Sequence, residues 1–353
     1  MIIQPRPFNL RKFITVMSVL LVALYVYYQR EPPLQFWRLS GSTMGTTYSV
    51  KLLENRLGSA GVAGLKKEID DLLVEVNRQM STYIPGSEIN VFNAMTSSAP
   101  SSVSAGFASV VKRAIELCQD TTGAFNPTLD RLINAWGFGP EGPRYKPDFV
   151  EITEDLSFVG CNMIEYLGDN SIRKVEPEVT INLNAIAKGW AVDQVAALIE
   201  SKSVTNYFVE IGGEVFARGI SEKIRPWRVG IDRPEEGSAP GEAYDLIVEL
   251  NGRALATSGD YRNFALGDDG IKFNHILDPR SGSPTTTSLA SVSVTAPDCA
   301  TADAIATALF VMGTEEGLAW VEAHPGIEAA FIEHTPDQGF ASTFSSGFVF
   351  LTP

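Results

Sequence analysis

Apolar positions along the chain fall into two kinds of repeat, separated by glycine- and proline-rich breaks. Between 65 and 80, Leu65, Ile69, Leu72, Leu73, Val76 and Met80 recur at helical spacing and predict an amphipathic helix. Residues 104–118 repeat the pattern through Phe107, Val110, Val111, Ala114, Ile115 and Cys118, with Ser104 placed to cap the first turn. Further helices are predicted over 186–199, 302–312 and 315–323. Strand patterns occupy 207–217 (YFVEIGGEVFA, with a glycine bend), 227–231 and 245–250. From 288 to 296, Val292, Val294 and Ala296 alternate with Ser291, Ser293 and Thr295, giving an apolar and a hydroxyl-bearing side. Strands near 329–333 and 348–351 close the chain, and no repeat or long low-complexity linker interrupts the series. The expected class is α+β, a mixed β-sheet core with packed helices.

The first thirty residues break this pattern. Arg6, Arg11 and Lys12 precede an uncharged run over 13–28, which Gln29, Arg30 and Glu31 close. At 1.5 Å per residue this run reaches roughly 24 Å, short of a hydrocarbon core of about 30 Å, although interfacial tyrosines extend the reach. The basic flank orients the N-terminus to the cytoplasm and everything after about residue 31 outward. No small-x-small cleavage pattern follows, which favours a retained anchor over a cleaved signal. No cysteine lies near residue 30 to carry a lipid. The expected organisation is an anchor at 1–30 and one globular domain at 31–353, on the periplasmic side of an inner membrane.

Composition narrows the function classes. With 353 residues, 44% hydrophobic and 20% charged, the chain has ample material for a core. Its formal charge of −14 argues against a nucleic-acid surface, which needs cations to neutralise phosphate. Cys118, Cys161 and Cys299 make no metal-binding spacing. Three buried thiols are the expectation, one disulfide plus a thiol the alternative.

Four stretches place polar and glycine residues where packing does not require them. Residues 41–48 (GSTMGTTY) suit close approach of backbone amides to a phosphate, and a tight turn entering a strand accounts for them equally well. Residues 123–128 (GAFNPT) and 136–139 (WGFG) set aromatics beside glycines, as a frame for a flat ring or as core packing at a helix end. Residues 182–189 (NLNAIAKG) turn from a polar strand end into a helix, offering Lys188 near a helix start where an anion is held. Asp303 and Thr307 lie one helical turn apart and offer hard oxygen ligands. The loop 257–262 (TSGDYR) adds hydroxyls, a carboxylate and Arg262. Among three histidines, His275 alone stands within these clusters and is the candidate proton acceptor.

In this order, the stretches resemble the ApbE family of FAD:protein FMN transferases, formerly described as thiamine-biosynthesis lipoproteins. The resemblance rests on GSTMGTTYSV (41–50), MSTYIPGSEINVFN (80–93), GAFNPTLDRLINAWGFG (123–139), INLNAIAKGWAVDQV (181–195), YFVEIGGEVFARG (207–219), ALATSGDYRNF (254–264), HILDPRSGSP (275–284) and ADAIATALFVMG (302–313). It covers nearly all of 37–351 and implies an ApbE-like, T-fold-related domain. It also implies Mg²⁺-assisted cleavage of FAD, with FMN joined to a Thr or Ser hydroxyl of an acceptor protein and AMP released. Typical acceptors in the family are subunits of membrane redox complexes. Carried over, the metal would be held by the Ala185 carbonyl, Asp303 and Thr307. Flavin contacts would fall on Met44, Tyr83, Ala124, Phe125, Asn126, Asn182, Lys188, His275 and Ile276, with His275 the base for the acceptor hydroxyl. Two positions depart from the family pattern: Asn126 and Asn182 stand where many members carry Asp. Release of free FMN and AMP by water, or flavin binding without turnover, are the competing readings of the same residues.

Overall fold

The computed structural model describes residues 10–29, 32–140, 142, 147–235, 237, 241–260, 264–266, 272–337 and 339–352. Helix α1 (Leu10–Gln29) precedes the hairpin β1 (Gln35–Thr43) and β2 (Thr46–Glu54). Then come α2 (Gly58–Met80), α3 (Glu88–Asn93), β3 (Ser101–Ser102), α4 (Ala105–Asp120), α5 (Asp130–Ala135), α6 (Phe149–Leu156), β4 (Ile164–Gly168), β5 (Ser171–Lys174) and α7 (Asn184–Ser201). The remainder is richer in strands: β6 (Tyr207–Ile211), β7 (Glu214–Arg218), β8 (Trp227–Asp232), β9 (Tyr244–Leu250), β10 (Arg253–Gly259), β11 (Phe264–Leu266), β12 (Lys272–Asn274), β13 (Leu277–Asp278), β14 (Ser283–Pro284) and β15 (Leu289–Ala296). It closes with α8 (Cys299–Glu322), β16 (Glu328–His334) and β17 (Phe340–Phe344).

Eight strands form the central sheet in the order β1-β2-β6-β7-β10-β15-β16-β17. The class is α+β, and every ladder in this sheet among the described residues is antiparallel, because hairpins supply several of its links. One face packs on α2, α7 and α8 through Ile69, Leu73, Val192 and Ile305, with α4 packed against these helices. The other is covered by the separate β8–β9 hairpin through Trp227, Ile231, Leu246 and Val248 against Phe208, Val215 and Leu255. Because both faces are covered, all eight residues of β15 are buried, the hydroxyl side included. Ser293 meets that burial by sharing a 2.7 Å hydrogen bond with Thr257 on β10.

The predicted helices and strands recur with instructive changes. Ser104 caps α4, accepting from the Phe107 amide at 3.3 Å. The run 207–217 is two strands rather than one bent strand, since Gly212 and Gly213 adopt φ of 63° and 107° and close a two-residue hairpin. The helices expected at 302–312 and 315–323 join as α8, broken where Gly313 takes φ 80° and ψ 177°. The strand expected at 348–351 reduces to a single bridge between Leu351 and Ile247, and β17 ends the sheet instead. Among the described residues, α8 alone passes the length and apolarity test for a membrane span, and it is a core helix packed on β10 and β15.

The cysteine expectation is corrected. Cys118, at the end of α4, and Cys161, just ahead of β4, form a disulfide with Cα atoms 5.6 Å apart. Cys299 alone is a free, buried thiol. A separation of 43 residues carried no spacing signal, and only the packing of α4 on β4 brings the pair together. A small three-stranded sheet, β3-β5-β4, lies beside this bond as a satellite of the main body.

Candidate active site

A cleft of about 1030 Å³ opens where the β6–β7 hairpin, β10, the start of α7, the turn at 124–126, the β8–β9 hairpin and the segment 275–277 converge. Its walls are built from local hydrogen bonding first. The Asn126 side-chain Oδ1 accepts from the Thr128 amide at 3.0 Å and the Thr128 hydroxyl at 2.8 Å, which fixes the turn after Phe125. The same turn starts from the C-terminus of α4, where the Gly123 amide donates to the Cys118 carbonyl at 2.8 Å, with Gly123 at φ 86°. The disulfide at Cys118 therefore braces the strand of chain that carries Ala124, Phe125 and Asn126.

Asn182 is similarly engaged. Its side-chain Nδ2 donates to Asp130 Oδ1 at 3.2 Å, its side-chain Oδ1 accepts from the Asn184 amide at 3.0 Å, and its main-chain N–H donates to Pro127 O at 2.8 Å. Burial pushes the Asp130 carboxyl up, and the hydrogen bond from Asn182 opposes that shift. A second carboxylate at 182 would face Asp130 without a donor between them. This accounts for asparagine at that position.

The floor is polar and charged. Ala185 and Lys188 lie one turn apart on α7, and the next residue, Gly189, sits where a Cβ would come 2.2 Å from the Cys299 carbonyl oxygen of α8. Only glycine lets the two helices meet here. That contact delivers the Gly189 amide to Asp303 Oδ2 at 2.9 Å and places the Asp303 carboxylate, 5% exposed, behind Lys188. Thr307 follows one turn later, with its Oγ1 3.1 Å from Ser258 Oγ on β10. Lys188 Nζ lies 2.5 Å from Glu214 Oε1 at the start of β7. Burial works against the Lys188 ammonium, but the charges of Glu214 and Asp303 outweigh it and hold its pKa above the usual lysine range. The two carboxyls are pushed upward by burial, with Lys188 opposing.

Ten of the residues singled out from sequence line this cleft: Tyr83, Ala124, Phe125, Asn126, Asn182, Ala185, Lys188, His275, Ile276 and Thr307. Tyr83 stands at the mouth, 64% exposed. His275, half-buried, meets the edge of Phe138 with ring centroids 6.5 Å apart. Ile276 is held by its amide donating to Asn274 Oδ1 at 3.0 Å. Asp303 lies behind the wall, joined to it through Gly189 and Lys188. Met44 is not in the wall: at φ 50° in the β1–β2 turn it packs on the core, and Thr46 and Thr47 line the cleft in its stead. Trp136 is a brace, its indole donating to Gly282 O at 2.8 Å, whereas Phe138 reaches the cleft. Thr257 and Ser258 line it too, while Tyr261 and Arg262 of the same loop lie outside the described residues. Sequence reading passed over Glu214 and Glu210, although their setting around a double glycine at a hairpin (EIGGE) was the available signal.

Asp303, Thr307 and the Ala185 carbonyl supply hard oxygen donors. No group of three His, Cys, Asp or Glu residues suited to a metal occurs among the described residues. That donor set matches a Mg²⁺ ion completed by phosphate and water better than a zinc-type cage.

Comparison with known proteins finds relatives that span most of the chain. The family model described as "ApbE family" matches residues 44–331. An FAD:protein FMN transferase of Vibrio cholerae is 42% identical over 334 residues, covering 94% of this chain and 97% of the relative. One from Haemophilus influenzae is 39% identical over 321 residues, with 89% and 91% covered. The solved flavin transferase ApbE from Vibrio cholerae superimposes with a TM-score of 0.80 at 42% identity, covering 90% of this chain and 99% of that one.

Proposed function

The chain belongs to the ApbE family, and from that membership and the cleft we infer that it is an FAD:protein FMN transferase. In the proposed reaction a Thr or Ser hydroxyl of an acceptor protein attacks the FMN phosphorus of FAD. A new O–P bond forms, the diphosphate P–O bond breaks, and AMP leaves. The observation that carries this reading is the convergence of Lys188 and Thr307 in a cleft that His275 also lines, with the Asp303 carboxylate directly behind its wall. A Mg²⁺ ion bound by Asp303, Thr307 and the Ala185 carbonyl would neutralise diphosphate charge. Lys188, in the lining of the cleft, would add a positive charge that favours the phosphate oxygens. His275 accepts the proton of the incoming hydroxyl, an otherwise poor nucleophile at neutral pH. Phe125, Ala124 and Ile276 offer the apolar wall for a flat ring, with Tyr83 at the entrance.

We further infer an inner-membrane protein with its catalytic domain on the periplasmic side, acting on a subunit of a membrane redox complex. The basic residues ahead of the apolar run in α1 support the anchor and its orientation. The Cys118–Cys161 disulfide supports an oxidising compartment.

Incubation with FAD, MgCl₂ and a co-expressed redox subunit, followed by intact-mass measurement, tests the reaction. The subunit should gain one FMN, AMP should appear in equal amount, and chelation should stop both. Free FMN with an unmodified subunit would replace transfer by hydrolysis, and intact FAD after prolonged incubation would leave a binding protein.

A further inference from the structure

Glu214 opens β7 directly after the Gly212-Gly213 hairpin turn. The turn directs its side chain inward, where it lines the cleft at 2% exposure. Oε1 is 2.5 Å from Lys188 Nζ, but Oε2, equally buried, has no hydrogen-bond partner among the described residues. An unsatisfied buried acceptor destabilises the fold, and a buried ion pair is often no more stable than apolar residues of the same shape. Fold stability is therefore a poor reason for a carboxylate at this point. Nor is Glu214 needed merely to balance charge, because Asp303 already faces Lys188 from the opposite helix. What Glu214 adds is direction. A lysine ammonium on a four-carbon stem is mobile, and a short contact from β7 holds it at one place on the cleft floor.

We propose that Glu214 is a positioning residue for the transfer: its Oε1 fixes the Lys188 ammonium toward the diphosphate of the bound dinucleotide, and its Oε2 accepts a hydrogen bond from a donor that arrives with that ligand. The proposal rests on the reading that the cleft binds FAD for transfer. Oε2 thus gains its partner only in the complex, and Glu214 couples ligand arrival to the placement of the lysine charge.

The test is a set of variants, Glu214→Gln, Glu214→Asp, Lys188→Met and the double Glu214→Gln/Lys188→Met, read by FAD affinity from flavin fluorescence, by kcat for FMN transfer and by melting temperature. Glu214→Gln keeps the size of the side chain but puts an N–H₂ donor at one of the two oxygen positions. It should lower kcat about 10–100-fold, as supporting partners of a site do, and weaken FAD binding. Lys188→Met should lose a similar factor, and the double variant should fall no more than about threefold below the worse single, because one residue acts through the other. Glu214→Asp, with its charge retained but drawn back, should stay well below the wild type. A fully active Glu214→Asp or Glu214→Gln protein overturns the proposal, as does a double variant whose loss is the product of the singles. If the wild type binds FAD but moves no FMN, the transfer reading fails alone, and the fluorescence comparison still decides the role of Glu214.

Discussion

Two lysines, one buried and one half-buried, show how differently the satellite sheet and the cleft use the same side chain. Lys174, at the end of β5, is 1% exposed and donates to the carbonyls of Asn93, Met95 and Pro177 at 2.8, 3.0 and 3.2 Å, with its ammonium 5.4 Å from the Phe92 ring centroid. Its partners are dipoles. Burial therefore dominates and lowers its pKa to about 8, with the charge of Glu178 opposing. Lys188, in the cleft wall, is paired with Glu214 and faces Asp303, and their charges overcome burial and raise its pKa. A lysine satisfied on all sides by main chain is spent on holding a loop. One held by carboxylates at the edge of a cavity keeps its charge for a ligand. The contrast separates a structural cation from a functional one without reference to exposure alone.

Four measurements break or sharpen this contrast. The largest effect is expected for Asp303→Ala, which should reduce Mg²⁺-dependent FMN transfer about 100-fold or more while the protein remains folded by circular dichroism; near-wild-type turnover would remove Asp303 from the site. His275→Ala comes next, slowing transfer about 100-fold with a smaller change in FAD affinity, and equal losses in rate and affinity would make His275 a binding residue only. Lys174→Met should do the reverse of both, leaving turnover intact but lowering stability by about 2–3 kcal/mol as its three carbonyls lose their donor, measured by urea unfolding. The smallest effect is a pH dependence. The folded-state pKa of Lys174, about 8, lies below its ordinary value of 10.5, so within that window the unfolded chain binds more protons and stability rises with pH. Unfolding midpoints near the two ends of the window should show a rise in the wild type that is diminished in Lys174→Met; an identical rise in both would assign it to other groups.

Much of the cleft was readable from residue order. The segments around Phe125, Lys188, His275 and Thr307 stand out because glycine and polar residues interrupt apolar repeats, and the fold brings them to one cavity. At the β1–β2 turn it is Thr46 and Thr47, the neighbours of Met44, that line that cavity. Glu214 escaped notice because a lone glutamate at a hairpin is ordinary until its partner is known. Asn182 looked like a departure in the site, and its bond to Asp130 identifies it as a support of the α7 entry.

What residue order alone determined is whatever repeats within a few positions: the amphipathic faces of α2 and α4, the Ser104 cap, and the one-turn spacing of Asp303 and Thr307. Tertiary structure decided the pairings that join distant positions. It closed the Cys118–Cys161 bond across 43 residues, set Gly189 against Asp303 across 114, and buried both sides of β15 beneath two layers. The physical reason is that backbone periodicity and capping are satisfied locally, whereas a carboxylate, a thiol or a strand face acquires its partner only when the sheet order brings remote elements into contact.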